Sequence, residues 1–153
     1  AETGQEYRCA PARVARRAVI TAIDTNILLD ILGGDPKFGP LSAAALRRCI
    51  SEGAVVACEV VWAETATFFE KEGQYLKAME TLGIVFDPVD QGSALKAGSA
   101  WRHYRKNGGK RARVAADFLI GAHAVSKCNR LLTRDRGFYR SYFKGLKVLD
   151  PGA

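Results

Sequence analysis

Two hydrophobic patterns alternate along this chain. Short, nearly continuous apolar runs are separated by longer stretches with apolar residues at helical spacing. Ala18–Ile23 is the first run; it reads as a buried strand and ends on Asp24. Asp24-Thr25-Asn26 then turns into Ile27–Leu32, apolar at helical spacing, and the turn-rich Gly33–Pro40 (GGDPKFGP) ends that helix. Leu41–Glu52 is predicted as a helix, with Ser42 as a possible N-cap and Gly53 as its stop. Ala54–Cys58 is predicted as a strand. Glu59–Glu72 follows as a helix so apolar, through Val60, Val61, Trp62, Phe68 and Phe69, that it should be buried. Gly73 separates it from a helix at Gln74–Leu82, and Ile84–Val89 is a strand. Gly92–Lys106 is a helix that turns basic at its end, and Asn107-Gly108-Gly109 breaks it. Val114–Lys127 is a second nearly all-apolar helix, Arg130–Asp135 a strand, Gly137–Phe143 a short aromatic turn of helix, and Lys147–Leu149 a last strand. Strands alternating with helices specify an α/β fold, a central parallel sheet with helices on both faces. Residues 18–150 form one domain on this reading. Ala1–Arg17, which mixes Gly, Pro and Arg without apolar periodicity, is a flexible N-terminal extension.

Composition narrows the class. The chain has 153 residues, 48% of them hydrophobic and 25% charged, ordinary values for one globular domain. No run of 18 apolar residues occurs, so no membrane span is expected, and no secretory leader pattern is seen. Cys9, Cys49, Cys58 and Cys128 are scattered without a CxxC pair. They read as free thiols of a cytoplasmic protein rather than as zinc or redox ligands. The net charge of +7 favours polyanionic partners.

The acids change the picture most. Asp24 and Asp135 end two predicted strands, and in a parallel sheet those ends share one edge. Glu64 in VVWAETATFF and Asp117 in VAADFLIGAHAV are each the only charge in an apolar segment, early in a helix. A helix that follows a strand begins at the same edge, so all four carboxylates can meet in one cleft. A lone buried carboxylate is costly unless it is paired or holds a metal. Clustered carboxylates favour a hard divalent cation, and an all-oxygen ligand set selects Mg²⁺ or Mn²⁺. Such an ion suits phosphodiester chemistry. Capping of a helix N-terminus is the structural alternative for any one of these acids. No Ser or Cys nucleophile motif competes. Asn26 stands where a haloacid-dehalogenase phosphatase needs a second Asp, and Asp135 where a receiver domain needs a Lys.

DTNILLD at Asp24–Asp30, WAETATFF at Trp62–Phe69, ADFLIGAHA at Ala116–Ala124 and LLTRDRGFY at Leu131–Tyr139 together resemble the PIN-domain nucleases, and within them the VapC-type toxins of toxin–antitoxin pairs. The resemblance implies a three-layer sandwich and a Mg²⁺- or Mn²⁺-dependent endoribonuclease. It also implies neutralisation by a cognate VapB-type antitoxin, and a homodimer. It maps the acidic positions onto Asp24, Glu64, Asp117 and Asp135. Thr25, Asn26 and Thr133 are assigned to positioning by hydrogen bonds. A housekeeping RNA-processing nuclease and a non-catalytic RNA- or protein-binding scaffold are the alternatives.

The basic tract Trp101–Arg113 leads into the helix that carries Asp117, so Arg102, Arg105, Lys106, Lys110, Arg111 and Arg113 are candidates for RNA phosphate. Arg134 and Arg136, flanking Asp135, are further candidates for phosphate or for pairing with a site acid. Trp101 and Tyr104 read as helix packing rather than base stacking. His123 reads as a packed, hydrogen-bonded core residue and His103 as exposed. Glu59 is read as a helix-start residue, Asp30 as a solvent-facing helix acid, and Asp87 and Asp90 as a strand-end turn and a helix cap. Tyr75, Tyr139 and Tyr142 are read as exposed aromatics available to an interface.

Overall fold

The computed structural model describes residues 18–110, 113 and 115–152. The extension at 1–17 lies outside the described residues. Five strands form one sheet: β1 (Val19–Ile23), β2 (Gly53–Ala57), β3 (Ile84–Phe86), β4 (Arg130–Leu132) and β5 (Lys147–Leu149). Their order is β3-β2-β1-β4-β5, and every pairing is parallel, with Thr21 opposite Val55 on one side and Arg130 on the other. Seven helices connect them among the described residues: α1 (Thr25–Leu32), α2 (Gly39–Glu52), α3 (Glu59–Ala66), α4 (Glu72–Leu82), α5 (Gln91–Lys106), α6 (Ala115–Lys127) and α7 (Arg136–Tyr142). The α/β sandwich expected from the pattern is therefore present.

Parallel strands require crossovers, and crossovers are right-handed. The chain steps from β1 outward to β2 and β3, then crosses back over β1 to β4 and β5. The two directions of travel place α1 with α2 and α5 with α6 on opposite faces of the sheet, and within each pair the helices pack on one another. Between these layers lie Ile23, Ile27, Leu28, Val55, Val61, Phe118, Leu131 and Leu132, all but inaccessible to solvent. Each such side chain contributes about 1.5–3 kcal/mol through burial. Gly121 in α6 is a required close approach, because a Cβ there would stand 2.3 Å from the Phe143 ring. It lets α6 settle on the aromatic segment that follows β4.

Several local expectations change. The strands β3 and β4 stop at Phe86 and Leu132, so Thr133–Asp135 is a loop. Ser42 is not a cap; it is buried inside α2 and its hydroxyl donates to Asp30 at 2.8 Å. The helix at Glu59 ends at Ala66 and is not a core helix: only Val61 and Thr65 are buried, and Phe68 is 68% exposed. The reason is its position. α3 touches α1 and also α6, so it lies across the carboxyl edge of the sheet rather than along one face. Tyr75 and Tyr139, expected at the surface, are buried. Tyr75 meets Thr65 Oγ1 at 2.7 Å.

Candidate active site

In an open parallel sheet, ligands bind at the carboxyl edge where the strand order reverses. Here that point lies between β1 and β4. Asp24 is the first residue beyond β1, and its amide donates to the Leu132 carbonyl of β4 at 3.0 Å. It is the N-cap of α1, and its Oδ1 accepts from the Thr25 amide at 2.7 Å. Its Oδ2 accepts from the Thr133 hydroxyl, also at 2.7 Å. Thr133 Oγ1 in turn accepts from the Asp135 amide at 3.0 Å, so one buried hydroxyl fixes both the strand-end acid and the loop that carries the second acid. Asn26 Nδ2 lies 3.5 Å from Asp24 Oδ2 and 3.4 Å from Thr133 Oγ1, and its Oδ1 faces the Arg134 amide at 3.4 Å. Thr25 Oγ1 donates to Glu64 Oε1 at 2.8 Å. Asp24 thus caps α1 from the crevice itself, and Thr25, Asn26 and Thr133 stand as hydrogen-bonding partners of the acids.

Asp24 is only 6% exposed. Burial pushes its carboxyl up from 3.8 to about 6, against the opposing hydrogen bonds from Thr133, the Thr25 amide and Tyr139; the charge on Asp117 pushes it up further. Tyr139 is the participant that the sequence reading missed. Its hydroxyl neighbours the Asp24 carboxyl and holds it down as a hydrogen-bonding group. Burial, followed by the charges of Asp24, Asp117 and Asp135, raises its phenol far above the ordinary value, so it stays protonated. Three carboxylates from three segments therefore act on one phenol. Tyr139 stands one helical turn beyond Asp135, the N-cap of α7; that spacing was the available signal.

Glu64 reaches the group differently from the expectation. It is exposed, not buried, and joins Asp24 through Thr25. Asp135 is ion-paired with Arg113, whose guanidinium also lies 4.3 Å from the Phe138 ring centroid and feels the charge of Asp117. Among the described residues no three His, Cys, Asp or Glu side chains stand close enough to hold an ion as they are. The donor chemistry nevertheless fits a hard divalent cation. All the acids offer oxygen, and the buried Asp24 carboxylate accepts from neutral donors, the Thr25 amide and the Thr133 hydroxyl.

The remaining acids and bases sort clearly. Asp30 is not solvent-facing. It is 4% exposed and takes a two-pronged contact from Arg134 at 2.8 and 2.9 Å, while Arg134 stacks over Phe38 at 4.1 Å. Arg134, half-buried, is thereby committed to Asp30. Arg136 approaches Asp150 at 3.7 Å. Arg102, Arg105, Lys106 and Lys110 are exposed at the end of α5 and in the turn after it; Arg111 lies outside the described residues. Glu59, in the first turn of α3, accepts from the Val89 amide at 2.9 Å. Asp90 caps α5. His123 is 1% exposed and bonds to Asp87 at 2.7 Å, as a packed core histidine should, and His103 is exposed. Trp101 stacks on Phe118 with centroids 5.6 Å apart, and Tyr104 meets the same ring edge-on.

With this geometry in view, the comparison with known families is decisive: the PIN domain family matches residues 21–144. The chain belongs to the PIN domain family. Members of that family are generally nucleases. No curated protein sequence matches the chain. Among solved structures, this PIN domain is similar to VapBC2 from Rickettsia felis bound to a DNA fragment from their promoter, with a TM-score of 0.68 and 17% identity over 86% of this chain and 98% of that one. VapBC-1 from nontypeable Haemophilus influenzae gives a TM-score of 0.67 and 20% identity over 88% and 99%. FitAcB from Neisseria gonorrhoeae gives 0.62 and 21% over 86% and 98%. At these identities the shared property is the fold of the PIN domain. No described helix is long and apolar enough to cross a membrane.

Proposed function

We propose that this PIN domain is a Mg²⁺- or Mn²⁺-dependent endoribonuclease, the toxin of a toxin–antitoxin pair, neutralised by a VapB-type antitoxin in the cytoplasm. The observation that supports the reading is the placement of the buried Asp24 and the loop of Asp135, joined through the Thr133 hydroxyl, at the β1/β4 crevice. Family membership supports nuclease chemistry. The toxin reading draws on the fold shared with VapBC and FitAcB chains.

Asp24, Asp117 and Asp135 would hold the ion, with Glu64 attached through Thr25. When bound, such an ion polarises a phosphodiester, activates a water and neutralises developing charge. The protein's own residues prepare the place. Thr133 orients one oxygen of Asp24 and, through the Asp135 amide, the next loop. Tyr139 keeps its proton beside Asp24 and holds that carboxylate as a hydrogen-bonding group, without competing for a cation. The basic residues around the end of α5 offset the repulsion that the acids exert on RNA.

Purified protein incubated with total RNA should cleave it with Mn²⁺ and not with chelator, and D24N and D117N should abolish cleavage while remaining folded. RNA retention without metal-dependent cleavage would replace the enzyme with a binding scaffold. Induced expression should arrest growth, and co-expression of a small neighbouring gene should relieve the arrest. Cleavage without growth arrest would mark a housekeeping nuclease instead. A homodimer belongs to the same proposal and is read from the mass in solution.

A further inference from the structure

Arg113 faces two environments at once. On one side it is ion-paired with Asp135. On the other it lines a cavity of about 590 Å³ with Trp101, Tyr104, Arg105, Gly109 and Lys110. That cavity is built rather than incidental. Tyr104 donates its hydroxyl to the Lys110 carbonyl at 2.5 Å, which folds the turn after α5 back onto the helix. Only glycine fits at 109, since a Cβ there would stand 2.4 Å from the Tyr104 ring. Trp101 and Tyr104 are braced from behind by Phe118. The Arg105 guanidinium sits 4.6 Å from the Trp101 ring centroid and remains exposed. Among the described residues the lining therefore combines aromatic rings, Trp101 carrying the Arg105 guanidinium over it, with three cations and no carboxylate. Arg113 connects it to the acids through Asp135.

An aromatic surface beside several cations is what single-stranded nucleic acid requires: bases stack while the backbone is neutralised. An acidic peptide would satisfy the cations but leave unused the planar Arg105 guanidinium lying over Trp101, a surface on which a base can stack. A guanidinium also has geometry for two acceptors and pairs with phosphate as readily as with carboxylate. We propose that this cavity is a subsite for one nucleotide of single-stranded RNA beside the reacting bond, and that its phosphate takes Arg113 from Asp135. Substrate thereby releases an acid that the empty protein keeps neutralised. The binding half stands on the cavity alone; the release half rests on the nuclease reading above, in which Asp135 is a metal ligand.

The test uses the full chain and a short, labelled 2′-O-methyl RNA, which binds but resists hydrolysis. In chelator, its affinity for R105A/K110A should fall at least about tenfold, and the slope of log affinity against log salt should flatten by about 1.4 for the two lost phosphate contacts. Lys110→Ala alone should give a smaller change in the same direction. With cleavable RNA and Mn²⁺, KM should rise more than kcat falls. Unchanged affinity and salt slope, or displacement of an acidic peptide instead of RNA, would overturn the subsite. The release half is read from Mn²⁺ binding with and without the oligonucleotide. The wild type should bind Mn²⁺ more tightly when RNA is present. R113Q should bind Mn²⁺ more tightly without RNA and show several-fold less coupling, while R113K, which keeps the charge, retains coupling. Full coupling in R113Q overturns release. The two readings separate: RNA bound in chelator by a protein that never cleaves keeps the subsite and removes the nuclease, whereas cleavage with unaltered KM in R105A/K110A keeps the nuclease and removes the subsite.

Discussion

Replacing Asp24 with Asn should change the pH dependence of folding by a calculable amount. In the metal-free protein the folded carboxyl titrates near 6 and the unfolded one near 3.8. Between those values the folded state binds more protons than the unfolded state, so stability falls as pH rises through the window and is level on either side of it. The interval from 3.8 to about 6, at about 1.4 kcal/mol per unit, corresponds to about 3 kcal/mol. D24N removes the titration. The difference in unfolding free energy, mutant minus wild type, should therefore climb by about 3 kcal/mol between roughly pH 4 and pH 7. Any constant cost of fitting an amide into the site shifts the whole curve and leaves the climb unchanged. The acids held below their ordinary range, among them Asp35, Glu52, Asp87 and Asp90, have the opposite sign, are lost on acidification below the window, and cancel in the difference. The assay is urea unfolding in chelator at closely spaced pH values, followed by circular dichroism and fluorescence to check that the transition is two-state. A flat difference curve would refute the reasoning, because it would mean that Asp24 is solvated in the folded protein. Added Mn²⁺ should stabilise the wild type above pH 6 and leave D24N little changed.

Removing the Tyr139 hydroxyl with Y139F takes a donor from Asp24, so the carboxyl should rise further; the midpoint of the wild-type titration, followed by NMR of the carboxyl carbon, should move upward, and a downward shift would contradict the assigned bond. Thr133→Val strands Asp24 Oδ2 and the Asp135 amide together, at a cost of about 1–3 kcal/mol in urea unfolding. Asp30→Ala leaves Arg134 and Ser42 without their shared partner, and unfolding should show a loss of about 1.5–3 kcal/mol, with a loss under about 1 placing the pair among weak surface bridges instead. Gly121→Ala should cost about 1–3 kcal/mol through overlap with Phe143, read as a lowered melting temperature.

The alternation of apolar runs and helical spacing by itself determined the α/β class and nearly every element, because each periodicity is a local record of which faces are covered. It also located Asp24 and the loop holding Asp135, since parallel strands all present their carboxyl ends at one edge. Thr25, Asn26 and Thr133 follow from the same reasoning. Tertiary structure decided what local patterns cannot encode. Strand order set β1 beside β4 and put the crevice there. The path of α3 across the sheet edge left Glu64 exposed, although its neighbours are apolar, because apolar sequence reports what could be buried and not how much neighbouring surface is available to cover it. Asp30 and Arg134, 104 residues apart, became a half-buried ion pair because α1 and the loop after β4 lie side by side. Tyr139 turned inward to Asp24 for the same reason. At Asp135 the sequence predicted an acid ready for metal; the tertiary fold supplied Arg113 as its partner, and long-range charge pairing of that kind depends on which segments are brought together, not on the order in which they occur.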